Sequence, residues 1–374
     1  MNILFFVGVY PDLKGYQGGV FIHNQAMALK KLGHNVAVMY LDFRSLKNNR
    51  IIGREMYYLD DIPVYRISFP SGPIYPLIRT VSPILSKSQY KHIEKKWGKI
   101  DVICVHFGNM AAYAECIKKM YGVPYIVVEH DSAILTKSIT QKQLERQKRG
   151  YDGANAVIAV SAALKNELQK ITKHQVEIIH NIVPDYMFVK NNRIKSNDEE
   201  FCFISVGNLK KSKAFDLTIK AFSHVVKNNK NVKLIIVGSG SEEMYLKELT
   251  AKCNIEDKVE FAGTISNRKL PELLTRCDCF VLPSKFETFG VVYIEAMACG
   301  LPVIATKCGG PEEFINEMNG VLLETDTPME LARIMEKFVE NHREYDKKGI
   351  ALAVEKQFSA EVIGKKLERV IMEL

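Results

Sequence analysis

The stretch PSKFETFGVVYIEAMACGLPVIATKCGGPEEF, residues 283–314, carries more information about the fold than any other part of the chain. It follows an apolar run, residues 279–282, that is typical of a buried strand. Gly290 allows a tight backbone turn into a predicted helix over residues 291–299. Glycine and proline punctuation then separates this helix from a short strand and a second glycine loop. The order strand, loop, helix, strand, loop predicts a parallel α/β sheet.

Two glutamates in this stretch, Glu287 and Glu295, are eight residues apart. Glu287 comes just before the predicted helix, and Glu295 lies about one and a half turns inside it. Carboxylates accept hydrogen bonds from neighbouring hydroxyls, such as those of sugars and ribose. A helix start favours phosphate, because its N–H groups are unpaired. The alternative is a pair of solvated residues on a helix surface, but the complete stretch favours a sugar-nucleotide site.

Residues 283–314 resemble the Glu-x7-Glu motif of the group-1 (family-four) retaining glycosyltransferases of GT-B fold. Further segments resemble the same family in the same order along the chain, namely residues 18–39, 201–222, 233–240, 259–265 and 277–284. The resemblance therefore covers nearly the whole chain. It implies an α/β protein of GT-B fold, with two Rossmann-like, doubly wound parallel-sheet domains that face a central crevice.

The pattern of apolar runs supports this organisation, because strand-like runs alternate with helix-length segments in both halves. The predicted strands are residues 2–9, 35–40, 64–67, 102–106, 125–129, 156–160, 176–179, 201–206, 233–237, 259–261, 279–282, 303–305 and 320–323. Residues 190–200 are polar without apolar periodicity and predict a linker. The predicted domains are residues 1–189 for the acceptor and 201–358 for the nucleotide-sugar. By resemblance, a helix over residues 359–374 packs back on the first domain.

Composition is that of a globular protein with room for two domains: 374 residues, 47% hydrophobic and 25% charged. No apolar run reaches the roughly 18 residues of a membrane span. The apolar N-terminus predicts a buried first strand rather than a signal peptide. The eight cysteines include no C-x-x-C pair, which favours reduced thiols over a metal site. We therefore expect a cytoplasmic protein.

The net charge of +8 comes from the first half of the chain. One source is residues 87–99, KSQYKHIEKKWGK, which contain the chain's one tryptophan, Trp97. Such a segment is suited to an anionic membrane surface, which predicts peripheral contact with the inner membrane face. A solvated helix face with Trp97 packed inward is the equally open alternative. Nucleic acid is not an expected partner, because no nucleic-acid motif is present.

In the first half, the candidate ligand-binding residues are Gly18, Gly19 and His130. Glycines let a backbone approach a diphosphate closely, and the pair matches the family's glycine loop. An ordinary strand-to-helix turn is the alternative. The resemblance places His130 close to the transferred sugar; the alternative is a structural histidine that caps the next helix. His106 is a weaker candidate, since a core histidine explains it equally well.

In the second half, the resemblance assigns Lys213 to the donor phosphates, Glu287 to the sugar and Glu295 to the ribose. It adds Phe289, Gly290 and Val291 at the helix start as donor-binding residues. The sequence departs from the family at Asn208, where the usual residue is arginine, and at Ala214, where it is glycine. Asn208 donates hydrogen bonds but brings no charge. Lys210 or Lys211 is the candidate replacement for the missing cation.

The implied reaction is retaining transfer of a hexose-type sugar from a UDP- or GDP-sugar to a glycan or lipid-linked acceptor, in cell-surface polysaccharide or glycolipid synthesis. The chain has no Asp-x-Asp motif, so we expect neither a metal nor a cofactor besides the donor. Three alternatives remain: a nucleotide-sugar epimerase of the same fold, a catalytically impaired glycosyltransferase-like binding protein, and a phosphorylase that uses pyridoxal phosphate. An NAD site is not expected, because the third glycine of the dinucleotide pattern is replaced by Glu243.

Overall fold

The computed structural model describes residues 1–13, 16, 18–43, 52–69, 75–189, 199–324, 327–341 and 345–374, without the side chains of residues 75–80. The predicted linker, residues 190–200, lies almost entirely outside the described residues. The chain divides into unit 1, Met1–Ile182 with Ala360–Leu374, and unit 2, Val183–Ser359. Unit 1 therefore ends before the expected boundary at Val189 and includes the last helix.

Unit 1 contains an eight-stranded sheet. Its strands are β1 (Asn2–Val7), β2 (Asn35–Asp42), β3 (Gly53–Leu59), β4 (Ile62–Ser68), β5 (Val102–His106), β6 (Tyr125–Glu129), β7 (Ala156–Ala159) and β8 (Val176–Ile178). The order is β3-β4-β2-β1-β5-β6-β7-β8, and every pair is parallel except β3 with β4. The central parallel strands β1, β5 and β6 are buried along nearly their whole length, which explains their almost continuous apolar sequences.

Strand β3 was not expected from the sequence. It pairs with β4 through a two-residue turn at Asp60 and Asp61, whose φ angles are 45° and 57°. Positive φ at both central residues is typical of the tight turns that join antiparallel strands, and Asp tolerates it better than most residues. Along β3, exposed and half-buried residues alternate. It therefore lacks the continuous apolar run by which the other strands were predicted.

The helices of unit 1 include a C-terminal one that packs on the first. They are α1 (Val20–Lys31), α2 (Tyr75–Trp97), α3 (Gly108–Tyr121), α4 (Ser132–Leu135), α5 (Gln141–Gly153), α6 (Ala162–Leu168) and, after unit 2, the helix Ala360–Met372. Gly364 of this last helix lies so close to α1 that an added Cβ would be 3.1 Å from the Ala28 side chain. His34 and Glu368 form a 2.8 Å contact between the end of α1 and the C-terminal helix.

Unit 2 contains a fully parallel six-stranded sheet. Its strands are β9 (Phe201–Val206), β10 (Val232–Val237), β11 (Val259–Gly263), β12 (Cys279–Leu282), β13 (Val303–Thr306) and β14 (Gly320–Leu323). Its helices are α7 (Phe215–Asn228), α8 (Glu243–Lys252), α9 (Leu270–Leu274), α10 (Val291–Ala298), α11 (Pro328–Asn341) and α12 (Lys347–Phe358). The last helix of the chain, Ala360–Met372, is therefore α13.

The strand order of unit 2, β11-β10-β9-β12-β13-β14, determines where a ligand is held. The chain builds outward from β9 to β11 and then returns to place β12 on the other side of β9. Loops that follow neighbouring strands on either side of such a reversal diverge and leave a crevice at the carboxyl ends. The loops after β9 and β12 lie at this point. In unit 1, the corresponding reversal lies between β1 and β5.

Candidate active site

The loop between β12 and α10 is built around Gly290. This residue precedes α10 with a φ of 91°, and an added Cβ would lie 2.7 Å from the ring of Tyr293. The Tyr293 hydroxyl donates to the carbonyl of Leu282 at 2.7 Å, which ties α10 back to the end of β12. Glycine is required here for both conformation and space. The loop is thereby fixed so that it presents Glu287 at the carboxyl edge of the sheet.

Glu287 and Lys213 are in direct contact in unit 2. Lys213 Nζ donates to Glu287 Oε1 at 2.6 Å, and the two side chains are 23% and 9% exposed. The backbone of Glu287 is held as well, because its N–H donates to Cys308 and its carbonyl accepts from Gly310. Two candidate residues that are 74 positions apart are thus brought together by the reversal between β9 and β12. Charge-assisted hydrogen bonds of this kind are among the stronger ones in proteins.

The loop after β9 carries both departures from the family pattern. Ala214 has φ 51° and ψ 41°, the left-handed conformation that glycine adopts without strain. The alanine therefore keeps the loop geometry at a cost in strain. Asn208 is exposed on the same loop, as are Lys210 and Lys211. These two lysines keep positive charge near Lys213 although the arginine is missing.

Glu295 lies on α10 and does not take part in the ion pair. Its carboxyl has no hydrogen-bond or ion-pair partner among the residues that the structure describes. Some of its surface is exposed, yet burial by the atoms packed around it raises its pKa to about 7. The residue is therefore a carboxyl group with free acceptor capacity, held on a helix beside the loop that carries Glu287.

The remaining residues predicted at the helix start differ in what they offer. The ring of Phe289 is buried against Phe314 and Phe358, at centroid distances of 5.3 and 5.6 Å. It is a core residue, so only its backbone is available to a ligand. Val291 is half-buried and opens α10. A ligand at this helix start would be bound by backbone N–H groups rather than by these side chains.

In unit 1, the two predicted glycines, Gly18 and Gly19, differ in how strongly the local structure requires them. Gly19 precedes α1 with a φ of 80°, and an added Cβ would lie 2.8 Å from the carbonyl oxygen of Val9. At Gly18 an added Cβ would clash with the hydroxyl of Tyr16 at 2.2 Å. Backbone conformation and space thus require glycine at position 19, whereas at position 18 the Tyr16 side chain can move aside. Contact of either glycine with a ligand stays a prediction.

His130 follows β6 and is 7% exposed. Its Nε2 lies 3.1 Å from Nδ1 of the fully buried His106, and the two rings are nearly parallel. Burial lowers the pKa of His130 to about 3, so the ring is neutral at physiological pH. The cap of the next helix is Asp131, whose carboxylate accepts from the N–H of Ala133. His130 is therefore not the capping residue, and its Nδ1 has no hydrogen-bond partner among the described residues.

Glu129 holds the loop that carries His130, a role that the sequence did not reveal. One carboxylate oxygen accepts from the N–H groups of His130 and Asp131, both at 2.8 Å. The other accepts from the N–H of Gly108 and the hydroxyl of Tyr151, both at 2.6 Å. The partners come from three separate segments, so no local pattern signals them. The buried carboxylate with four donors fixes the end of β6 against the end of β5.

Phe21 and Phe107 are two further residues beside His130 that the sequence did not single out. Their ring centroids lie 4.6 and 5.4 Å from that of His130, and both rings are partly exposed. Phe107 has a φ of 72°, which is strained for a residue with a side chain. The strain directs an aromatic ring toward the carboxyl edge of β5.

Within the described part of the chain, no three His, Cys, Asp or Glu side chains converge as metal ligands. The same residues include no helix with the length and apolar content to cross a bilayer.

Comparison with known proteins agrees with this architecture. Residues 189–351 match the family described as "Glycosyl transferases group 1", and residues 18–185 match "Glycosyltransferase Family 4". The chain is 28% identical over 328 residues to N-acetyl-alpha-D-glucosaminyl L-malate synthase of Bacillus anthracis, covering 84% of this chain and 81% of that protein. It is 24% identical over 314 residues to the gpi3 subunit of phosphatidylinositol N-acetylglucosaminyltransferase of Schizosaccharomyces pombe, covering 82% and 66%.

Among solved structures, the chain is similar to Anabaena HepE in complex with UDP and glucose, with a TM-score of 0.75 and 21% identity over 100% of this chain and 99% of that one. Two Rossmann-like units with mainly parallel sheets thus define a protein of GT-B fold, as the sequence predicted. Given the two family matches, which together span most of its length, the chain belongs to the group-1 glycosyltransferases.

Proposed function

We propose that this protein is a retaining glycosyltransferase that moves a hexose-type sugar from a UDP- or GDP-sugar to a hydroxyl of a glycan or lipid-linked acceptor. The observation that carries the proposal is the contact between Lys213 and Glu287 at the reversal point of the unit 2 sheet. It combines a cation for phosphate and a carboxylate for hydroxyls at the edge where parallel α/β sheets bind ligands.

Donor binding exchanges the partners of this ion pair. The diphosphate attracts Lys213, and Glu287 then accepts hydrogen bonds from hydroxyls of the sugar. Glu295 accepts from the ribose, and the N–H groups at Gly290 and Val291 face the phosphates. The bound UDP in the HepE structure supports a nucleotide donor of this class.

In the proposed transfer, the bond between the anomeric carbon and the diphosphate oxygen breaks while the acceptor oxygen bonds to the same face of that carbon. The acceptor's proton goes to an oxygen of the departing phosphate, so no protein group forms a covalent bond. Negative charge grows on the diphosphate, and Lys213 stabilises it electrostatically. This differs from glycosidases, where paired carboxylates act as acid and nucleophile.

The acceptor side of the proposal involves unit 1 and a membrane surface. On α2, Ile84 is 68% exposed and Lys95 and Lys96 are exposed, while Trp97 is half-buried. Basic and apolar groups on one helix favour an anionic bilayer, which is consistent with a lipid-linked acceptor in polysaccharide or glycolipid synthesis. Sedimentation with liposomes tests this part: binding that does not increase with anionic lipid would contradict it.

The proposed reaction uses neither a metal ion nor a cofactor other than the donor. Charge on the leaving group is balanced by lysines and by the α10 N-terminus instead. Turnover that persists in excess EDTA is the expected result, and loss of turnover that is restored by a divalent cation would contradict it.

A catalytically impaired binding protein is the second candidate, and the loop after β9 favours it. Asn208 removes one cation from the phosphate site, and Ala214 strains the loop that carries Lys213. Measurable sugar transfer would exclude this candidate.

The decisive experiment is a thermal-shift panel with UDP-, GDP-, ADP- and dTDP-sugars, followed by a nucleotide-release assay with the donor that binds. A ligand that binds only the folded protein raises its melting temperature by mass action. The proposal expects stabilisation by one donor class and acceptor-dependent nucleotide release. Absence of stabilisation by every donor would refute it, whereas conversion of the donor without an acceptor would indicate an epimerase.

A further inference from the structure

Three buried side chains in unit 1 form a continuous polar chain that ends at His130. Cys104 and His106 are two residues apart on β5 and therefore lie on the same face of the sheet. Cys104 Sγ is 3.6 Å from His106 Nε2, and His106 Nδ1 is 3.1 Å from His130 Nε2. Cys104 and His106 are fully buried. Each group in the chain therefore has a defined neighbour, except for Nδ1 of His130.

The protonation states of the three groups in this polar chain follow from their burial. Burial raises the pKa of the Cys104 thiol above its usual range, so the thiol keeps its proton. Burial lowers the pKa of His106 well below its usual range, with a further contribution from His130, and lowers that of His130 to about 3. Each imidazole thus carries one proton, and only its position on the ring is open.

The thiol determines that position. An imidazole nitrogen is a good acceptor, whereas a thiol sulfur is a weak one, so the favoured contact has the S–H of Cys104 donating to Nε2 of His106. The proton of His106 is then on Nδ1 and is donated to Nε2 of His130. The proton of His130 must therefore be on Nδ1.

The last N–H of this polar chain, on Nδ1 of His130, has no partner in the part of the protein that the structure describes. His130 Nδ1 is buried without a hydrogen bond, beside the rings of Phe21 and Phe107. Aromatic rings exclude water but offer little as acceptors, so a buried donor at this position is costly unless a ligand supplies an oxygen. Glu129 holds the backbone of the same residue, and the ring packs against His106, Phe21 and Phe107.

We propose that Cys104 and His106 are positioning residues that fix His130 as a neutral Nδ1–H donor, aimed at an oxygen of the bound sugar or acceptor. This inference rests on the proposed function for the identity of the ligand, but the tautomer itself does not depend on it. His130 then orients a ligand oxygen and does not act as a general base. A ligand with a hydroxyl or phosphate oxygen at this position gains one hydrogen bond, and a deoxy analogue does not.

The direct test is NMR of protein labelled with 15N in histidine, since long-range proton–nitrogen correlations distinguish the two neutral tautomers. The expected result for the natural sequence is a protonated Nδ1 and an unprotonated Nε2 on His130. In Cys104→Ala the tautomers interconvert, because nothing then fixes His106, and Cys104→Ser restores the single tautomer. Cys116→Ala is the matched control, because this thiol donates to the carbonyl of Ala112 and is not part of the polar chain that ends at His130. Its spectrum should stay unchanged.

A second measurement separates this role from a merely structural one. His106→Phe keeps the ring stacked beside Phe5 but removes the donor to His130. We expect kcat to fall by about 3- to 10-fold, the effect of one hydrogen bond, with the dissociation constant for the nucleotide unchanged. A protonated Nε2 on His130 in the natural protein would overturn the inference. So would a His130 tautomer that neither Cys104→Ala nor His106→Phe alters. Absence of sugar transfer with every donor would refute the proposed function instead and leave the tautomer result intact.

Discussion

The carboxyl edges of the two sheets hold their polar groups in opposite ways. In unit 1, His106 and His130 are buried and neutral, and Nδ1 of His130 has no partner among the residues described there. In unit 2, Lys213 and Glu287 are charged residues that satisfy each other. A neutral buried donor recognises one uncharged or weakly charged oxygen. An ion pair is suited to a highly charged ligand, which can replace the carboxylate as the partner of the lysine. The difference favours unit 2 as the site of the diphosphate.

The largest effect expected from this contrast is at Lys213. Under the proposed function, Lys213→Ala removes the cation that faces the leaving diphosphate, so we expect turnover to fall on the order of 10²- to 10³-fold. Donor affinity, measured by calorimetry, falls less than turnover. Lys227→Ala, an exposed lysine in the last turn of α7, is the control for loss of charge alone. Unaltered turnover of Lys213→Ala in a nucleotide-release assay would contradict the assignment of the diphosphate to the carboxyl edge of the unit 2 sheet.

Glu295 tests whether the free carboxyl of unit 2 binds ribose. Glu295→Ala should weaken nucleotide binding by roughly 10- to 100-fold, the effect of hydrogen bonds to a charged acceptor. With a pKa of about 7 in the ligand-free protein, the carboxylate form is lost as the pH falls through neutrality, so natural affinity should decline below about pH 7. Calorimetry across this range checks both points. Unchanged affinity in the variant would refute the assignment to ribose.

The same carboxyl makes a prediction for stability. Burial raises the pKa of Glu295 in the folded state, so folding favours the protonated carboxyl. Its contribution to the free energy of unfolding is therefore greatest below the unfolded pKa and is lost as the pH rises through about 7. Glu295→Gln removes that cost. We expect the free energy of unfolding of Glu295→Gln to exceed that of the natural protein by about 1–3 kcal/mol at about pH 8, and to differ little from it at about pH 4.5. Denaturant titration at the two pH values measures this. A variant that is less stable than the natural protein at the higher pH would contradict the burial argument.

Lys285 tests which lysine takes the place of the missing arginine at the phosphate site. Its N–H donates to the carbonyl of Ser212 at 2.8 Å, which places this exposed lysine beside the loop that carries Lys213. Lys285→Ala should weaken donor binding by about 3- to 10-fold, and Asn208→Arg should strengthen it by a similar factor. A larger loss in Lys210→Ala than in Lys285→Ala would assign the replacement to the loop after β9 instead.

Ala214 is expected to give the smallest effect. Ala214→Gly relieves the left-handed strain but increases the freedom of the unfolded chain, so the net gain in unfolding free energy is about 0.5 kcal/mol. Thermal unfolding measures it. A loss of stability would mean that the backbone is not strained at this position.

Much of the fold was predictable because parallel strands buried on both faces are continuous apolar runs, as in β1, β5 and β12. Strand β3 was missed because its residues alternate and its turn uses two aspartates. Lys213 and Glu287 were each singled out in the sequence, but their direct contact was not predictable, since it depends on strand order. The role of Glu129 depends on Gly108 and Tyr151, which are distant in sequence, and no local rule connects them.

The path of the chain between the units has a consequence for engineering. The parallel bridge between Val183 and Ser359, with the N–H of Val183 donating to Phe358, places the entry and exit of unit 2 side by side. Unit 2 is therefore topologically an insertion within unit 1, and the two ends that flank it, Ile182 and Ala360, are close neighbours. Unit 2 can be excised as one continuous polypeptide, whereas a minimal unit 1 requires a splice that keeps α13.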